Sequence, residues 1–76
     1  MTKPSVPQEI IAQALTRWLE LEQGRRLIVE HGMRGYTVTL EHVRGPLASV
    51  ALETHDRSLA DALTKTAAAV MLGGAA

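Results

Sequence analysis

Cysteine and phenylalanine are both missing from the 76 residues, and Trp18 and Tyr36 are the only aromatic side chains. Without thiols the chain can form neither a disulfide nor a thiolate metal site, a composition that fits a reducing compartment. Two isolated aromatics do not make a platform for stacking single-stranded bases. Net charge is missing as well: eight Lys or Arg balance eight Asp or Glu when the histidines are neutral. Binders of nucleic acid or anionic membrane rely on surplus positive charge, so neither partner is the first expectation. No apolar run reaches the ~18 residues of a membrane span, and the opening "MTKPSVPQEI" lacks the apolar centre of a secretory signal. A cytoplasmic location without a membrane partner is the simplest expectation.

A chain this short has room for one domain, taken here as 1–76 with an ordered part from about 6 to 72 and frayed ends at 1–5 and 73–76. A core of this size rarely supplies more than about 3–5 kcal/mol net. With no disulfide available, self-association is the natural source of further burial, and a homo-oligomer, most simply a dimer, is expected.

Helical spacing dominates the first third. Ser5 and Gln8 in "SVPQE" have capping-box spacing, and Pro7 suits a first turn. Ile10, Ile11, Ala14, Leu15, Trp18, Leu19 and Leu21 then recur on one face until Gly24 supplies a stop. From Arg25 the period changes to two. "RLIVEH" and "YTVTLEHV" predict two strands joined across "GMRG", with His31 opposite Tyr36, Val29 opposite Val38, Leu27 opposite Leu40 and Arg26 opposite Glu41. A third strand, "LASVALET", follows Gly45 and Pro46. Unbroken alternation pairs Val43 with Leu47, Leu40 with Val50 and Val38 with Leu52. The closing segment "DRSLADALTKTAAAVML" offers Asp56 or Ser58 as N-cap and an apolar stripe of Leu59, Ala62, Leu63, Thr66, Ala67, Val70 and Met71. The predicted fold is α+β, in the order α-β-β-β-α: a three-stranded antiparallel sheet with both helices on one face.

The pair Glu-His occurs twice, in "EHGMRG" and "EHVRG", and invites a catalytic or metal-binding interpretation. Adjacent strand residues point to opposite faces, so Glu30 and His31, or Glu41 and His42, cannot meet at one ligand. Antiparallel pairing also sends His31 and His42 to opposite ends of the sheet. His55 is expected at the same end as His31, with a strand between them. Zinc needs three or four ligands converging within about 2.1 Å, so rim histidines without metal are expected. Serines are confined to Ser5, Ser49 and Ser58, two of them caps. No carboxylate pair is spaced for acid–base work. No catalytic residue, metal or cofactor is assigned, and no enzyme activity is expected.

Two surfaces remain. The outer sheet face carries Ile28, Thr37, Thr39, Val43, Leu47 and Ala51 among charged neighbours, an expected protein interface. Arg25, Arg26, Arg44 and Arg57 are the alternative, as phosphate or nucleic-acid contacts, the first three gathered at one end of the sheet.

The element order over residues 6–72, together with the alanine-rich "SLADALTKTAAAVML", resembles the double-stranded-RNA-binding domain. That resemblance implies groove contacts from Gln8, Glu9 and Gln13 and from the loop "HGMRG", and phosphate contacts at the start of the last helix. The chain departs from the family there: "HDRSLAD" holds Arg57 alone between Asp56 and Asp61 where a basic cluster belongs. The passage "VALETHDRSLADALTKT" is similar to the strand-to-helix end of HicB-type antitoxin domains over residues 36–72, and the small cysteine-free α+β make-up resembles accessory or inhibitor proteins of phages and prophages. The expected role is a non-enzymatic, self-associating module that binds protein, with nucleic-acid binding as the alternative.

Overall fold

The computed structural model describes residues 7–73. The elements are α1 (Gln8–Leu21), β1 (Arg25–Gly32), β2 (Gly35–Arg44), β3 (Leu47–Asp56) and α2 (Leu59–Met71). The strands form one antiparallel sheet in the order β1-β2-β3. Both helices cover a single face of it, since Trp18 of α1 and Leu40 of β2 share a cluster with Val70 of α2. The α+β class and the α-β-β-β-α order are as expected.

Pro7 does not sit inside the first turn of α1. It is the N-cap, with φ −57° and ψ 139°, and its carbonyl accepts the amides of Ile10 and Ile11 at 3.0 and 3.2 Å. The expected Ser5 cap lies outside the described residues, as do the expected frayed ends apart from Gly73. At the other end of α1, Gly24 takes φ +78° where the chain reverses into the sheet, and a side chain there would come within 2.5 Å of the Val43 carbonyl oxygen. Glycine is thus required both for the turn and for the close approach. Ser58 caps α2, its hydroxyl accepting the Asp61 amide at 3.4 Å, while its own amide donates to Asp56 Oδ1 at 3.1 Å.

The buried apolar residues are Ile11, Leu15, Trp18, Val38, Leu40, Ala62 and Ala67. Ala62 has no side-chain bulk beyond Cβ and its carbonyl lies 3.3 Å from the Thr54 hydroxyl, so α2 lies close on β3 there, while Ala67 packs with Ile11 and Leu15 of α1. A polar contact crosses this close approach: the Thr54 and Thr66 hydroxyls are 2.5 Å apart, and Thr66 donates to the Ala62 carbonyl at 2.8 Å. Both hydroxyls are satisfied, which keeps their burial inexpensive.

The β1–β2 register agrees with expectation at every row, His31 opposite Tyr36 through Arg26 opposite Glu41. The β2–β3 register does not. Gly45, at φ +59°, permits a two-residue turn, so Leu47 pairs with Arg44 instead of Val43. That shift of one residue reverses the faces of the first half of β3, setting Ser49 opposite His42 and Val50 opposite Glu41. A bulge then restores the original sense, pairing Leu52 with Leu40 and Thr54 with Val38 and leaving Ala51 as the extra residue. Val50, expected in the core, is therefore 58% exposed. Ala51, expected on the outer face, packs on the Trp18 and Leu40 cluster.

Candidate functional site

Both Glu-His pairs split across the sheet. Glu41 reaches along the outer face to Arg26, whose Nε and Nη2 donate to Oε1 at 2.8 and 2.6 Å. His42 turns to the helix side, 5.8 Å between ring centroids from Trp18. His31 stacks on Tyr36 at 4.4 Å, so Tyr36 is a half-buried rim residue paired with an imidazole rather than a central anchor. His55 lies inside β3, on the outer face, where its Nδ1 shares a 2.9 Å hydrogen bond with Thr37 Oγ1. His31 and His55 thus occupy the same end of the sheet on opposite faces. Among the described residues, no group of three His, Asp or Glu side chains is placed to hold a metal ion.

The four arginines expected as phosphate contacts fall in four different environments. Arg25 is drawn inward, its side chain only 9% exposed. It donates to the Trp18 carbonyl at 2.9 Å and to Glu22 at 3.0 Å, and its guanidinium lies 4.7 Å from the centre of the Trp18 ring. It caps a carbonyl at the end of α1 and fills the seam where helix becomes strand. Its buried Nε has no hydrogen-bond partner, a polar atom left unpaired where the guanidinium lies across the indole. Arg26 is neutralised by Glu41. Arg44 is exposed at the end of β2, beside the turn to β3. Arg57 is at the other end of the molecule, against the loop between β1 and β2. Arg25, Arg26 and Arg44 lie at one end of the sheet, where the first two are ion-paired, and Arg57 lies at the other, because the antiparallel strands carry the start of β1 and the end of β3 to opposite ends.

The expected interface residues also redistribute. Ile28, Thr37, Thr39 and Val43 do share the outer face, with Thr39 buried in mid-sheet and the others half-buried. Leu47 and Ala51 leave that set, because the turn and the bulge move them to the other parity, and Ala48 and Val50 take their places. The outer rows read Glu30–Thr37–His55, Ile28–Thr39–Glu53 and Arg26–Glu41–Val50, followed by Val43–Ala48. Leu47, 72% exposed, and Val50 stand on either side of an edge strand whose segment Leu47–Leu52 contains no charge.

A further concavity brings together residues that spacing alone did not connect: His31, Gly32, Met33, Arg34, Gly35 and Arg57 line an open hollow of about 610 Å³. Gly35, at φ +122°, makes the contact, since a Cβ there would fall 2.5 Å from the Asp56 carbonyl oxygen and 2.7 Å from the Arg57 Cα. The nearby Asp56 carboxylate is otherwise engaged, with Oδ2 2.6 Å from Lys65 Nζ and Oδ1 accepting from the Ser58 amide. The hydrogen bond from Lys65, followed by that from the Ser58 amide, holds its pKa below the ordinary aspartate value.

No family model, curated protein or solved structure matches the chain. The likeness to the double-stranded-RNA-binding domain rests on the shared helix, three antiparallel strands and helix. No helix among the described residues is long and apolar enough to cross a membrane.

Proposed function

We propose that the protein is a non-enzymatic binding module whose first partner is a second copy of itself, docked along β3. The observation that carries this is the open, uncharged segment Leu47–Leu52, with Leu47 72% and Val50 58% exposed at its edge. Edge strands are normally guarded by lysine, proline or inward charge, and this segment has none of these within it. Two copies related by a twofold axis would pair β3 antiparallel to β3 and extend the sheet to six strands, meeting no like charges across Leu47–Leu52. Val43 and Ala48 on the adjoining outer face would add apolar contact. Eight large hydrophobic side chains are exposed among the described residues while five are buried, which is the imbalance that association relieves. An accessory or inhibitor role of the phage type would then rest on the surfaces the pairing leaves open.

Sedimentation over a concentration series from micromolar upward tests the pairing. The mass should rise from one chain of 8.2 kDa towards two, and Val50→Lys, at an exposed position, should hold the protein at one chain without unfolding it. A single-chain mass throughout the series would refute the interface.

A further inference from the structure

We infer that the hollow between the β1–β2 loop and the start of α2 is a site for one phosphate group, held by Arg34 and Arg57 with His31 as a third contact. It is independent of the β3 interface. Among the described residues three cations are ion-paired, Arg25 with Glu22, Arg26 with Glu41 and Lys65 with Asp56. Among the described residues Arg17, Arg34, Arg44 and Arg57 have no such partner, and of these only Arg34 and Arg57 share a hollow. The segments that bear them are held close, because Gly35 presses the loop that carries Arg34 onto the backbone at Asp56 and Arg57. Both are exposed on the rim of one hollow and neither is neutralised by a carboxylate. The carboxylate best placed to serve, Asp56, is tied to Lys65 and to the Ser58 amide.

The chemistry of the hollow selects the ligand class. Guanidinium groups match the oxygen geometry of phosphate, and two of them balance a dianion. His31 lines the same hollow and is held by its stack on Tyr36. A polyanion would need several phosphate contacts along a track. Here Arg25 and Arg26 are paired, and Arg44 lies beside the β2–β3 turn. One free phosphate, or the phosphate of a small monoester, is the ligand that fits.

Amide chemical shifts of the full chain, titrated with inorganic phosphate and separately with sodium chloride at equal ionic strength, test this. Phosphate should produce saturable shifts confined to residues 31–35 and 56–59. Arg34→Gln and Arg57→Gln should each weaken the binding about tenfold, as loss of one charge-assisted contact does, while Arg44→Gln should leave it unchanged. Glycerol 3-phosphate in a parallel titration separates the sources: equal affinity means the phosphate group alone is held, and tighter binding means the organic part is also contacted. Shifts no different from those in chloride, or weakened equally by Arg44→Gln, would overturn the site. So would a duplex oligonucleotide that binds while both small phosphates have no effect.

Discussion

Where the helices finish, Arg25 lies across the Trp18 ring with its guanidinium donating to a carbonyl and to Glu22. At the opposite end Arg34 and Arg57 flank an open hollow with no carboxylate engaged by either. The same residue type therefore serves as mortar at one end and as a cation without a carboxylate partner at the other. The difference comes from what surrounds each arginine. A large aromatic and a helix terminus draw Arg25 inward, whereas a short glycine-bounded loop leaves Arg34 facing water. The first end should govern stability and the second binding, and substitutions along the sheet can test that division.

The largest effect is expected at the packed end. Trp18→Ala removes the most extensive buried side chain, one only 3% exposed. It should cost about 3–5 kcal/mol, enough to unfold much of a small domain at room temperature, as read by urea denaturation. Met33→Ala at the open end, on a fully exposed side chain, should change the unfolding free energy by less than about 0.5 kcal/mol. Equal losses would abolish the distinction.

Next in size is a pair that tests the bulge. Ala51→Glu places a carboxylate against Trp18 and Leu40 and should cost about 2–3 kcal/mol. Val50→Lys, one residue earlier on the opposite face and across from Glu41, should cost less than about 0.5 kcal/mol, measured below the concentration at which copies associate. Reversal of these two effects would restore unbroken alternation in β3 and remove the bulge.

Arg25→Ala should follow at about 1–3 kcal/mol, from the lost bonds to the Trp18 carbonyl and Glu22 and the lost cover on the indole. Arg25→Lys keeps the charge without the planar fork and should recover only part of this. Full recovery would show that charge alone matters there.

The smallest effect belongs to Asp56. Its carboxyl is held below the ordinary aspartate value by Lys65 and then by the Ser58 amide. Its contribution is therefore fully present above the unfolded value and is lost as pH falls through the lower, folded one. Asp56→Asn should slightly lower the Tm at neutral pH and flatten the acid limb of a Tm-versus-pH curve. An unchanged acid limb would mean that the Lys65 contact contributes nothing in solution.

The two hairpins show what was legible. For β1 and β2, alternation, the facing Arg26 and Glu41, and a loop bounded by Gly32 and Gly35 all select one register, and the fold adopts it. For β3, the string "LASVALET" alternates acceptably in more than one register, because Ala48, Ser49 and Ala51 are small enough for either face. The tight turn at Gly45 and Pro46 and the bulge at Ala51 are chosen by packing, where Trp18 and Leu40 accept Ala51 and leave Val50 outside. The Arg34 and Arg57 hollow was illegible for a related reason. The two residues are far apart in the chain, and the contact that joins them belongs to Gly35, which sequence alone shows only as a turn residue.

The order of elements, the apolar stripes of both helices, the Trp18 anchor and the separation of each glutamate from its neighbouring histidine follow from the sequence by itself, because periodicity and capping act over a few residues. Which side of β3 faces the helices, which arginines are neutralised and which are left to meet an anion were decided only by the tertiary structure. Those outcomes depend on close approach between segments distant in the chain, which local preference does not specify.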